Sequence, residues 1–367
     1  MATEESTETT GGRTAILPRI WKAGSVPLFS VFLAAFIGAM LLWLSGSNPF
    51  TAYWSLLQGA LGSPEAIGRT LEKATPLVFS GLAVAFAFKA GLFNIGGQGQ
   101  LLIGGIVAAY LGFAVDGLPF LIHMPLALLG GSLAGALWAA IAGALKTYTG
   151  AHEVITTIML NYIAINLTDF LANGPWKDTG IIARTPKILD TAVIPTWGFI
   201  PLGFVVAVLM AILTYYLLFK TTWGYAIRTT GLNAEAAKYA GIKVGRIIIL
   251  TMAFSGFLAG MGGAVESLGV IGRYQPGFNV GLGFDGITIA LLAKTNPLGV
   301  IPAAILLGAM DAGGSQMQFD AGVRFQIIDV IKALILFFVS ADIIVRKILG
   351  SRAVDEDKVT LSTGWGG

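Results

Sequence analysis

The residues whose side chains could bind a solute are concentrated in a glycine-rich stretch at positions 91–100, GLFNIGGQGQ. Its three carboxamides, Asn94, Gln98 and Gln100, can each donate and accept hydrogen bonds, which suits a neutral, polyhydroxylated solute. The glycines favour an irregular helix start, which is tolerated at membrane depth only against protein or a wet cavity. Polar side chains also join helices in bilayers, so these amides either line a solute pathway or hold helices together.

A second stretch of the same kind lies at positions 273–286 and contains Asn279 and Asp285. A carboxylate inside a membrane span indicates a functional role by default, although Asp285 could instead cap a short helix. Asn161 is a further polar residue within an apolar run. These three residues complete the predicted solute pathway. The tetrapeptide FNIG of the first stretch returns as FNVG in the second, half a chain length later, which indicates an internal repeat.

Other residues that carry chemistry are few. The sequence has no Cys and two His, which excludes disulfides, thiolate metal sites and Cys nucleophiles. No GxxxxGK[S/T] loop occurs, so the chain is not itself a P-loop ATPase. Asp329 and Lys332 lie three residues apart in the last apolar run, a spacing that predicts a structural ion pair on one helix face. We therefore predict no catalytic residue, metal site or cofactor in this chain.

The composition indicates a polytopic membrane protein, because 55% of the residues are hydrophobic, 12% are charged and the mean hydropathy is +0.77. The net charge of +3 is too small to indicate a nucleic-acid partner. About ten apolar runs are long enough, with their flanks, to span as helices. They lie at residues 26–45, 74–88, 98–114, 120–145, 154–172, 198–219, 247–270, 281–293, 297–313 and 326–345.

The basic residues orient these spans. An even number of spans puts both termini on one side, and roughly two thirds of the 23 Lys and Arg residues then fall on that side. We therefore expect cytoplasmic termini and a 5+5 inverted-topology repeat, a common plan in transporters. The expected organisation is an N-terminal tail at 1–25, a transmembrane domain at 26–347 and a C-terminal tail at 348–367. Segment 48–62 is predicted to lie at the outer interface.

A polar, basic island at residues 220–246 interrupts the apolar runs on the cytoplasmic side. Within it, Asn233 can cap a helix whose first turn contains Glu235, which is favourable at the positive end of the helix dipole. The following alanines favour a helix, and Gly241 is the expected stop. The island therefore predicts a short surface helix, which by itself is also compatible with an ordinary loop helix.

Four stretches resemble the permease subunits of bacterial ABC importers of the ribose and branched-chain amino acid permease superfamily, nearest to its nucleoside and simple-sugar branch. The resemblance covers about residues 42–347. The four stretches are KAGLFNIGGQGQLLIGG at 89–105, HEVITTIMLNYIA at 152–164, GYAIRTTGLNAEAAKYAGI at 224–242, and residues 273–291.

The resemblance implies that the island is the coupling loop that contacts the ATPase. Glu235 lies in that helix, and the positions matching the family motif are Gly231, Asn233, Ala236, Ala237, Gly241 and Ile242. It also implies a multi-pass protein of the plasma membrane that works with a second permease subunit, identical or paralogous, and an external substrate-binding protein. ATP and Mg²⁺ would bind the partner ATPase. The expected solute is a nucleoside or simple sugar. A stand-alone secondary carrier for a neutral polar solute is the alternative.

Overall fold

The computed structural model describes residues 16–277, 281–324 and 326–340, with side chains from residue 28 onward. Nearly all of the regular structure is helical. The helices are α1 (Ile16–Leu44), α2 (Pro49–Leu61), α3 (Pro64–Lys89), α4 (Gly97–Ala114), α5 (Phe120–Thr149), α6 (Glu153–Asn173), α7 (Leu202–Lys220), α8 (Thr222–Leu232), α9 (Ala234–Tyr239), α10 (Val244–Val265), α11 (Leu282–Leu292), α12 (Pro297–Ala321) and α13 (Gln326–Ser340). A π-helical segment, Glu266–Ile271, continues α10, and a short 3₁₀ turn covers Asp190–Ala192.

Seven helices among the described residues are long and apolar enough to cross a bilayer: α3, α4, α5, α6, α7, α10 with its π-helical continuation, and α12. Two shorter apolar helical stretches, Leu28–Leu44 and Leu282–Leu292, accompany them. The prediction of an all-α polytopic membrane protein is therefore confirmed. Residues 1–15 of the predicted N-terminal tail (1–25) and the whole predicted C-terminal tail (348–367) lie outside the described residues.

Three helices begin with the same local signal, an N-cap side chain followed directly by proline. The cap oxygen accepts a hydrogen bond from a free backbone N–H of the first turn, while proline lacks an N–H that would need a partner there. In α2, for example, Asn48 Oδ1 accepts from the Phe50 amide at 2.9 Å. The three pairs are Asn48-Pro49, Ser63-Pro64 and Asn296-Pro297.

Helices α5 and α10 cross at glycines in the centre of the molecule. A Cβ atom on Gly135 would lie only 2.7 Å from Cα of Gly260, and a Cβ on Gly260 would lie 2.9 Å from the Gly131 carbonyl oxygen. The backbones can approach this closely only because these positions lack side chains. The two glycine pairs of the sequence, Gly131/Gly135 and Gly256/Gly260, thus pack against each other.

The long connection between α6 and α7 is attached to the end of α10. Its backbone pairs with the π-helical segment and the turn that follows: the Ile194 amide donates to the Leu268 carbonyl at 3.1 Å, and the Ile188 amide donates to Gly272 at 3.0 Å. A two-stranded hairpin, β1 (Thr196–Trp197) and β2 (Ile200–Pro201), follows. This connection therefore forms a cover over one end of the helix bundle.

Candidate functional site

The short helix expected in the basic island is present as α9. Asn233 is its N-cap, and the side-chain Oδ1 accepts a hydrogen bond from the Ala236 amide at 2.9 Å. At the other end the Ile242 amide donates to the Ala237 carbonyl at 3.0 Å, while Gly241 adopts a left-handed backbone with φ +82°. Glycine tolerates this conformation without steric cost, which explains why the helix stops here.

Helix α9 projects from the bundle and leaves most of its surface free. Ala237 is fully buried and anchors the helix, whereas Glu235 and Ala236 are exposed. Tyr239 is 91% exposed, and Leu232, which precedes the helix, is 81% exposed. A shallow depression beside the helix is lined by Ala234, Glu235, Lys238, Ile242, Lys243, Val244 and Gly245. Small, aromatic and basic side chains are thus available to a partner on one exposed helix.

Gly231 lies on a side of the island that faces the rest of the protein. It packs on the turn that leads from α3 toward α4: a Cβ atom added at Gly231 would lie 2.8 Å from the Gly91 amide nitrogen and would overlap the Lys89 carbonyl oxygen. Gly91 itself has φ +70°. The island therefore contacts the backbone that directly precedes the glycine-rich stretch.

Asn94 and Gln100 form a reciprocal pair of amide hydrogen bonds in that stretch. Asn94 Nδ2 donates to Gln100 Oε1 at 2.9 Å, and Gln100 Nε2 donates to Asn94 Oδ1 at 3.0 Å. Asn94 also donates to Ser255 Oγ of α10 at 2.8 Å, and that hydroxyl donates to the Ala83 carbonyl of α3 at 2.6 Å. One polar cluster thus joins α3, α4 and α10.

The other two amides bond the irregular backbone at the start of α4. Asn161 Oδ1, from α6, accepts from the Gly99 amide at 2.8 Å, and its Nδ2 donates to the Ile95 carbonyl at 3.0 Å. Gln98 Oε1 accepts from the Gly283 amide at the start of α11 at 2.9 Å. These side chains satisfy backbone groups that a helix start leaves unpaired.

The four amides Asn94, Gln98, Gln100 and Asn161 are buried, and each is hydrogen-bonded to the protein in this conformation. Joining helices, one of the two roles that the sequence left open, is therefore visible in the structure. Contact of these amides with a solute stays a prediction. The sixth polar residue of the predicted pathway, Asn279, lies outside the described residues.

Asp285 belongs to a charged cluster that ties α11, α12 and α13 together. Lys332 Nζ lies 2.5 Å from Asp311 Oδ1 and 3.4 Å from Asp285 Oδ2. The pair predicted from spacing, Asp329 with Lys332, is therefore wrong: the Asp329 side chain is exposed, and Lys332 turns inward to two carboxylates on neighbouring helices. The interhelical arrangement places one ammonium between two carboxylates, so that each of the three charges has a partner of opposite sign.

Sequence reasoning missed Ser255 and Asp311. Ser255 is one of three hydroxyl residues in the apolar run at 247–270, where a small polar residue carries little signal. Asp311 had a usable signal, because an Asp within an apolar run is a functional candidate by default.

The two polar stretches, 91–100 and 273–286, contain three described aromatic residues, Phe93, Tyr274 and Phe284, and Phe284 is the most exposed of them, at 46%. Tyr274 is buried, and Phe93 is half-buried with its ring 4.9 Å from the ring of Phe88. Phe284 precedes Asp285, whose side chain is 28% exposed. The first turn of α11 therefore presents an aromatic ring and a carboxylate that are both accessible.

Comparison with known proteins identifies the family. The family described as "Branched-chain amino acid transport system / permease component" matches residues 66–340. The chain is 39% identical to the guanosine ABC transporter permease protein NupP of Bacillus subtilis, over 89% of this chain and 95% of that protein. It is 32% identical to the nucleoside ABC transporter permease protein NupB of Lactococcus lactis, over 92% and 97% of the two chains.

A third relative is the glucose ABC transporter permease protein TsgB13 of Haloferax volcanii, 32% identical over 87% of each chain. Such relatives are integral membrane transport components and not enzymes. Their similarity extends over nearly the whole chain, and the family match covers the amide cluster, α9 and the Lys332 cluster together. The chain therefore belongs to the family of branched-chain amino acid transport system permease components.

Proposed function

We propose that this chain is the transmembrane permease subunit of an ABC importer that moves a nucleoside or a simple sugar across the plasma membrane. Alternating access is driven by ATP hydrolysis on a separate subunit. The single observation that carries this proposal is the near full-length similarity to nucleoside permeases, with 39% and 32% identity. The glucose permease relative keeps a simple sugar within the proposal.

Helix α9 is the proposed coupling helix, which seats in a groove of the ATPase. The Asn233 cap and the left-handed Gly241 fix the two ends of this helix. Its small exposed residue Ala236 permits close approach of a partner backbone. Glu235 and Ile242 line the shallow depression beside α9. ATP and Mg²⁺ bind the partner, so this chain needs no cofactor of its own. An external binding protein delivers the solute, and a second permease subunit, identical or paralogous, completes the pathway.

The proposed topology has about ten spans, the seven long apolar helices together with α1, α11 and α13, and both termini in the cytoplasm. It comprises the permease domain at 26–347 between the tails at 1–25 and 348–367. Two observations support a 5+5 inverted repeat. Gln98 and Gly283, which are hydrogen-bonded, are 185 residues apart, the same offset that relates FNIG to FNVG. In addition, the contact between α4 and α10 has a counterpart in the contact between α11 and α3, as expected if the same offset relates α3 to α10 and α4 to α11.

The proposed solute pathway is formed by Asn94, Gln98, Gln100, Asn161, Asn279 and Asp285. The amides are bonded to one another or to backbone in the described conformation, so their contact with solute requires the α4 and α11 starts to separate during the cycle. Asp285 is already accessible beside Phe284. A carboxylate accepts hydrogen bonds from ribose hydroxyls and an exposed ring stacks on a base, which suits a nucleoside.

The test is reconstitution of the complete importer in proteoliposomes with [³H]guanosine and [¹⁴C]ribose as alternative solutes. We expect uptake that requires ATP, the ATPase subunit and the binding protein. A catalytically inactive ATPase variant serves as the matched control. Equal uptake by this chain alone, without the ATPase, would overturn the proposal and establish the secondary-carrier alternative.

A further inference from the structure

Helix α8 connects the exposed helix α9 to the interior of the protein. It ends at Leu232, and the next residue, Asn233, is already the N-cap of α9. No flexible linker separates the two helices, because the Asn233 amide still donates to the Thr229 carbonyl of α8 at 3.0 Å. A force on α9 therefore reaches α8 directly.

The first turn of α8 is wedged between two membrane helices. The ring of Trp223 lies 5.7 Å from the ring of Phe86 in α3 and 5.7 Å from the ring of Phe254 in α10. The indole Nε1 is buried and makes no hydrogen bond to the residues that the structure describes, so the contacts of Trp223 with Phe86 and Phe254 are ring packing contacts. Phe254 immediately precedes Ser255, the hydroxyl of the amide cluster.

The last turn of α8 contacts the backbone turn that leads to Asn94, on the other side of the amide cluster. Gly231 packs backbone against backbone on the turn at Lys89 and Gly91, three residues before Asn94. A side chain could rotate to absorb a small movement, but two backbones in contact cannot. The two ends of α8 therefore touch the two segments, 89–94 and 254–255, that Asn94 joins through its bond to Ser255.

We propose that α8 is the transmission element of this importer, with Trp223 and Gly231 as positioning residues that convert movement of α9 into separation of Asn94 from Ser255. This inference rests on the proposed function, because it takes α9 as the helix that the ATPase moves. The proposal assigns the contact at Gly231 a role in coupling and not in assembly.

The test compares Gly231→Ala with Thr229→Ala in the complete reconstituted importer. Thr229 lies on the same helix, and its hydroxyl donates to the Tyr225 carbonyl of that helix at 2.9 Å. Because the added Cβ would overlap the Lys89 carbonyl oxygen, we expect Gly231→Ala to shift the turn at residues 89–91 while the importer still assembles. Stimulation of hydrolysis by the guanosine-loaded binding protein should fall about ten-fold or more, the size of an ordinary coupling between two sites. Thr229→Ala should retain stimulation.

A second pair of variants keeps the proposal testable if Gly231→Ala does not fold. Trp223→Phe preserves an aromatic wedge, whereas Trp223→Ala removes it, so we expect the phenylalanine variant to retain stimulation that the alanine variant loses. Full stimulation in Gly231→Ala or in Trp223→Ala would overturn the inference. Failure of the proposed function looks different, because the wild-type importer itself would then show no stimulation.

Discussion

Replacement of Lys332 by methionine is expected to destabilise the protein strongly. Lys332 is nearly buried, with a side chain 10% exposed, and it lies within ion-pair distance of both Asp311 and Asp285. Methionine keeps the length of the side chain but leaves two carboxylates facing each other in an apolar environment. Removing one partner of a buried pair typically costs about 3–5 kcal/mol. Because the Asp285 side chain is still 28% exposed, we expect a value near the lower limit, about 3 kcal/mol.

The assay is thermal unfolding of purified protein in detergent, followed as the fraction that still elutes as a monodisperse species. At about 2 °C for each kcal/mol, the expected loss is about 6 °C. The compensated variant Lys332→Met with Asp285→Asn and Asp311→Asn removes all three charges and should recover most of that loss. Asp329→Asn is the matched control and should change little. A larger effect of Asp329→Asn than of Lys332→Met would refute the pairing.

Three further outcomes are expected. Asn94→Leu removes the bonds to Gln100 and Ser255 and leaves buried partners unsatisfied, so it should cost about 1–3 kcal/mol in the same thermal assay; an unchanged melting temperature would contradict the bonding described. Gly135→Val should prevent recovery of folded protein because the backbones of α5 and α10 touch there, whereas Leu133→Val on the exposed face of α5 should not, as measured by detergent-soluble yield. Ala236→Arg should abolish copurification of the ATPase subunit while the chain still inserts, and retained copurification would remove α9 from that interface.

Most of the fold follows from local signals in the sequence. Each apolar run predicts a helix because only a helix satisfies its own backbone hydrogen bonds inside a bilayer. The stop at Gly241 and the caps at Asn48 and Asn233 are readable because they depend on single residues with known backbone preferences. Two glycines four residues apart, such as Gly131 and Gly135, are typical of a helix packing face, but their spacing does not say that Gly256 and Gly260 form the opposite face.

The partners of the polar side chains were not readable, because they depend on contacts between distant helices. Spacing along one helix joins Asp329 to Lys332, but packing of three helices joins Lys332 to Asp311 instead. The amide stretch shows the same limit. Its residues were identified, but the bond from Asn94 to Ser255 spans 161 positions and depends on how α4 meets α10. Prediction therefore identified most polar residues of these two clusters, but it missed Ser255 and Asp311 and the pairing of the side chains.

The most direct test of the account is uptake of radiolabelled nucleosides and of ribose by cells depleted of this chain, with wild-type protein restored from a plasmid as the control. The account predicts loss of nucleoside or ribose uptake on depletion. It also predicts restoration by the wild-type chain but not by Ala236→Arg. Undiminished uptake of both solutes in depleted cells, or full restoration by Ala236→Arg, would contradict it.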